Sequence, residues 1–168
     1  LLSVERELIV KALNKQAEEG CMKRAFPDWY FPQREEAEKT LLESFIKLGG
    51  DPERKSPHYF CLGESIGMEF FYNKNFKQII APIEELNCQV MYSIGDTLWT
   101  FAKSHNPDQK WENKWYQGKL YTYEETVEIV KKLNLDLKSK DSLNSNQVFH
   151  IEALVWSDKE VQKLISKT

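Results

Sequence analysis

Val148-Phe149-His150-Ile151-Glu152-Ala153-Leu154-Val155-Trp156 is the run whose reading decides the fold. It is rich in the β-branched and aromatic residues that suit a pleated strand, and it contains no Gly or Pro to break one. Side chains alternate along a strand, so Phe149, Ile151, Ala153 and Val155 share one face. Val148, His150, Glu152, Leu154 and Trp156 share the other, which is apolar at both ends and polar in the middle. A purely structural strand has no need of that imidazole and carboxylate.

The elements on either side are read outward from this strand. Ser157-Asp158-Lys159-Glu160 has the spacing of a capping box and opens a terminal helix carrying Val161, Leu164 and Ile165. Upstream, residues 138–146 are rich in Ser, Asn, Asp and Lys and are expected to form a mobile loop. Thr122-Tyr123-Glu124-Glu125 is a second capping box, opening a helix with Val127, Val130 and Leu133 on one face. Lys119-Leu120-Tyr121 is expected as a brief strand, after a long polar connector over residues 103–118.

Strands are also expected over 58–62, 76–81 and 88–94, with a short helix over 65–72 and a helical turn over 83–86. Residues 97–102 suit either strand or helix. Helices dominate the first fifty residues. Val4, Leu8, Ile9, Ala12, Leu13 and Ala17 keep helical spacing from a Ser3 cap to Gly20. A second helix over 33–48 has Ala37, Leu41, Leu42, Phe45 and Ile46 as its inner stripe, ended by Gly49-Gly50. Arg34, Glu35, Glu36 and Glu38 crowd its first turns, where acids suit the helix dipole. The expected fold is therefore one α+β domain over 1–168. An N-terminal helix pair precedes a mixed sheet of about five short strands with packed helices, and a strand-helix unit closes the chain.

Composition bounds the function. The 168 residues are enough to bury a core without disulfide or metal staples. Acidic residues number 26 against 23 basic ones, and that balance argues against nucleic acid as a partner, since phosphate neutralisation needs a basic surface. No stretch approaches the roughly 20 apolar residues that span a bilayer, so no membrane partner is expected. Cys21, Cys61 and Cys88 are odd in number, widely spaced and without a C-x-x-C, which fits a reducing cytoplasm. No H-x-x-x-H or carboxylate cluster points to a metal, and no cofactor is assigned. The chain starts without a signal-peptide pattern or an initiator Met, which suggests that residues before Leu1 are missing.

Three features could carry chemistry. Glu152 and His150, two apart on one strand face, can reach a common ligand or each other, with Glu152 as general base or anchor. Gly63-Glu64-Ser65-Ile66-Gly67 matches the G-x-S-x-G turn that presents a nucleophilic serine, and the order Ser65, Asp96, then His105 or His150 is allowed. Two helices precede its strand, however, and an oxyanion segment is missing, so a glycine turn with Ser65 as a cap is the plainer reading. Aromatic connectors are the third feature: Trp29, Tyr30 and Phe31 in one, Trp111, Trp115 and Tyr116 in another. They either clamp the core or line a cleft for a planar ligand or a partner.

The expected function is binding of a small polar or nucleotide-like ligand, with chemistry left open. Glu152, His150, Asp96 and Ser65 are the candidate catalytic residues; His58, Glu64, Trp111 and Trp115 are candidate ligand contacts. The alternatives are a protein-interaction or self-association module, with a homo-oligomer as partner, and a serine hydrolase using Ser65.

Overall fold

The computed structural model describes residues 11, 12, 14, 15, 17–20, 29–65, 80–86, 88–102 and 114–166. In chain order the elements are α1 (Tyr30–Lys47), β1 (His58–Cys61), a 3-10 turn (Ile83–Glu85), β2 (Val90–Ile94), α2 (Thr97–Phe101), α3 (Tyr123–Lys132), α4 (Lys140–Ser145), β3 (Ile151–Val155) and α5 (Asp158–Ser166). The three strands form one antiparallel sheet in the order β1-β3-β2. The last strand in sequence is thus the central one.

All five residues of β3 are buried because helices cover both sheet faces. On one face Leu154 and Met91 pack with Ala37, Leu41 and Phe45 of α1, Phe101 of α2, and Trp156. Phe45 stacks flat on Trp156 with ring centroids 4.1 Å apart. On the other face Tyr92, Ile94, Ile151 and Ala153 pack with Ile129 of α3, Leu143 of α4, Tyr116 and Val148. The architecture is α+β, in three layers.

Several expectations are corrected. The described residues hold three strands, not about five, and the N-terminal helix pair is not matched. The described residues within 11–18 are helical, while the Ser3 cap and the residues before 11 lie outside the described set, as do most of 65–72 and 76–81. Residues 119–121 contribute a single bridge, Tyr92 to Tyr121, in place of a strand. The central strand starts at Ile151: Gln147 has a positive φ of 57°, and Val148 turns into the core opposite to the one expected.

Residues 138–146 are not a loop but contain α4. Ser139 caps it by accepting from the Ser142 N–H, and Leu143 anchors it with no exposed surface. One buried leucine and a cap outweigh a polar composition. Residues 97–102 resolve as helix. The helix read over 33–48 begins at Tyr30, with Pro32 in the first turn, where a missing N–H costs nothing. Its first turn holds no acidic residue, so the dipole argument for Glu35, Glu36 and Glu38 lapses.

Both capping sites fall where the spacing places them. The Thr122–Glu125 box is reciprocal, and Ser157 Oγ accepts from the Glu160 N–H at 3.3 Å. Among the described residues no helix is long and apolar enough to cross a membrane.

Candidate functional site

Strand register builds the site. Glu152 on β3 lies opposite Cys61 on β1 and Ser93 on β2, so the three share one sheet face at one level. α1 covers that face, and Glu152 keeps only 8% of its surface exposed. The expected polar middle of the strand is real, and it lies under a helix.

Two interactions hold the Glu152 carboxylate. The Thr97 backbone N–H donates to Oε2 at 3.1 Å, and His150 Nε2 lies 3.4 Å from Oε1. An ionised carboxylate only accepts, so the ring carries its proton on Nε2 when the two pair. His150 Nδ1 is buried and has no protein partner among the described residues. Burial disfavours the imidazolium, but the hydrogen bond that His150 donates to Glu152 and the charges of Glu152 and Asp96 outweigh it, so the His150 pKa lies above its ordinary value.

Asp96 joins this pair from the end of β2. Its side chain accepts from the Leu98 N–H at 2.8 Å and caps α2, the role expected for a turn aspartate. Burial and the neighbouring Glu152 push its pKa up, against the pull of His150, the Leu98 N–H and Arg34. Two carboxylates and one imidazole therefore share a part-buried space in which all of them do not readily hold full charge together.

α1 contributes residues that the sequence did not single out for chemistry. Arg34 Nη1 donates to Thr97 Oγ1 at 3.3 Å, its Nε lies 3.2 Å from Glu38 Oε1, and its guanidinium sits 4.0 Å from the centre of the Tyr59 ring. Burial works against its charge, but Tyr59, Glu152, Tyr30 and Glu38 hold it protonated. A signal was present: Arg34 stands three residues before Ala37 and seven before Leu41, on the inward stripe of the helix. Tyr59 Oη donates to Glu38 Oε1 at 3.4 Å, and burial raises its phenol pKa well above the usual range. Ser93 is wholly buried, and its Oγ has no partner among the described residues.

Ser65 lies near this cluster at the end of β1. It is buried, and its Oγ makes no hydrogen bond to an imidazole. The nearby Cys61 thiol has its pKa raised by burial and lowered by the Ser65 hydroxyl. Gly63 has its own structural reason. Its φ is +77°, and a Cβ there would stand 2.5 Å from the Leu137 carbonyl oxygen, beside the Glu64 N–H that donates to that oxygen at 2.8 Å. The strand before it is the edge of an antiparallel sheet, not part of a parallel hydrolase sheet.

The other candidates lie elsewhere. His58 is at the far end of β1, with Nε2 2.7 Å from Asp158 Oδ1 and Arg54 Nη1 against the same ring and carboxylate. Glu64 is exposed, 3.9 Å from Lys140 Nζ. Trp115 is 51% exposed under Lys132 Nζ, and Trp111 is outside the described residues. Among the described residues, no three of His, Cys, Asp and Glu are placed to hold a metal ion together.

Fold and site together define a three-layer α+β protein with an acid–imidazole centre on the covered face of a small antiparallel sheet. Comparison with protein-family models, curated proteins and solved structures finds no match.

Proposed function

We propose that the protein binds a small polar or nucleotide-like ligand at the Asp96–His150–Glu152 centre and exchanges a proton with it. The observation that carries this reading is the part-buried His150–Glu152 pair, whose remaining ring nitrogen is itself buried and meets no protein partner among the described residues. Burying a polar atom unpaired costs about 1–3 kcal/mol, a cost that a ligand bonded there removes. Glu152 acts as anchor or general base, fixed by the Thr97 N–H, and His150 is its proton partner. His58 drops out of the scheme because Asp158 and Arg54 hold it at the other end of its strand.

Thermal shift of the wild type, Glu152→Gln and His150→Ala against a metabolite panel tests the proposal. A compound that stabilises the wild type and neither variant is the expected result. A panel to which the wild type is silent, or to which all three respond alike, overturns it.

A second reading draws on surface aromatics: Trp29, Trp99 and Trp115 are 43%, 37% and 51% exposed. Exposed tryptophans suit a protein-interaction or self-association module. Light scattering over a range of concentrations decides this. A constant monomer mass removes the self-association arm.

A further inference from the structure

Charge bookkeeping at the site narrows the ligand. Arg34 is matched by Glu38 at 3.2 Å and lies on the Tyr59 ring, so that pair is neutral. Among the described residues Asp96 and Glu152 then stand against His150 alone, and even a fully protonated imidazole leaves an excess negative charge. Burial, and after it the neighbouring Glu152, push Asp96 toward its protonated form.

A second observation is independent of charge. Ser93 is fully buried directly across from Glu152, and its hydroxyl, without a partner among the described residues, lies on the carboxylate's own sheet face. It can accept from a donor that also reaches Glu152. A third is the aromatic pair beside the site. Trp29 at the start of α1 and Trp99 on α2 stand 5.9 Å apart, on the two helices that Arg34 and Thr97 tie together.

We infer that the centre takes a planar organic cation rich in N–H donors, such as an amidine, a guanidine or a protonated amino-heterocycle. Its charge meets Glu152 and Asp96, Ser93 Oγ accepts from it, and its flat face lies against the Trp29–Trp99 pair. This rests on the proposed function and goes further by fixing the sign and shape of the ligand. A bound cation favours the ionised form of Asp96, so affinity rises with pH. Loss of the proton from His150 at higher pH acts in the same direction. The charged and titratable groups facing these two are Glu152 and Arg34, with Tyr59 and Cys61 behind Glu152.

NMR titration of the whole protein with benzamidine, its neutral counterpart benzamide, benzoate and inorganic phosphate tests the inference. The tryptophan indole signals, assigned with Trp29→Phe and Trp99→Phe, are the readout. Benzamidine is expected to bind about tenfold or more tightly than benzamide, as charge-assisted bonds exceed neutral ones. It should move the Trp29 and Trp99 signals and weaken from about pH 7.5 to about pH 5. Asp96→Asn, which keeps the helix cap, and Glu152→Gln should each remove that preference, leaving benzamidine bound no tighter than benzamide.

Equal affinity for benzamidine and benzamide overturns the cation, as does silence toward benzamidine. Tighter binding of benzoate or phosphate that is lost in Glu152→Gln overturns the cation but leaves the site standing. A site that is itself absent shows instead as no response to any compound, in this series or in the metabolite panel.

Discussion

His150 and Asp96 are titratable groups whose surroundings work in the same direction with pH. The His150 pKa is raised because Glu152 and Asp96 outweigh burial, so the stability it supplies is full below about pH 6.5 and lost as pH rises through the folded value. Asp96 is raised by burial and by Glu152; its contribution is full below about pH 3.9 and is lost above that as the buried carboxyl is forced to ionise. Asp158 opposes them at the acid end. The hydrogen bond from His58 holds it below the usual carboxylate range, so its contribution is present above about pH 3.9 and lost as pH falls further. Melting temperature should therefore decline from about pH 6 to about pH 8, and the decline should flatten in His150→Gln. Scans at constant ionic strength check this; an identical slope in the variant would sink it. Gly63 gives a second prediction at this scale. Gly63→Ala places a side chain at a φ of +77° against Leu137 and should cost about 1–3 kcal/mol by denaturant titration.

Helix ends carry most of the legible sequence at the level of elements. Thr122 accepts from the Glu125 N–H at 3.3 Å, and Glu125 Oε2 accepts from the Thr122 N–H at 2.8 Å. Thr122→Ala should cost about 1 kcal/mol and leave ligand binding unchanged, since α3 packs on the face away from Glu152. α4 shows the limit of such reading. Its six residues are mostly polar, and the burial of Leu143 against the sheet, with the Ser139 cap, makes a helix of them. The edges of β3 were misread for a related reason. Residue type suits a strand from Val148 onward, but pairing with β1 and β2 begins at Ile151.

Across the whole molecule, one layer of packing both covers the sheet and closes the site. Phe45 on Trp156 holds the far end of α1, and Arg34 on Thr97 holds its near end over Glu152. Phe45→Ala should cost about 3–5 kcal/mol, as deletion of a buried aromatic does. It should weaken benzamidine binding as well, because α1 carries Arg34, which ties to Thr97 over the site. Urea unfolding followed by the NMR titration checks both; lost stability with unchanged affinity would separate the core from the site.

The alternation read through His150 to Trp156 put His150 and Glu152 together without any structure, because a strand has a period of two, while Val148, read onto the same face, turns the other way. One capping box, the Ser157 cap and the Ala37–Leu41–Phe45 stripe of α1 were legible for the same reason, since caps and stripes are local geometry; Ile46, read into that stripe, is exposed instead. Tertiary structure alone decided that β3 lies between β1 and β2, which brings Cys61 and Ser93 level with Glu152 from positions 91 and 59 residues away. It alone turned Arg34 from a charge near a helix start into a buried cation on Tyr59, and brought Asp96 to the pair while leaving His58 apart. Those facts depend on strand order and helix placement, which long-range burial selects and no local spacing encodes.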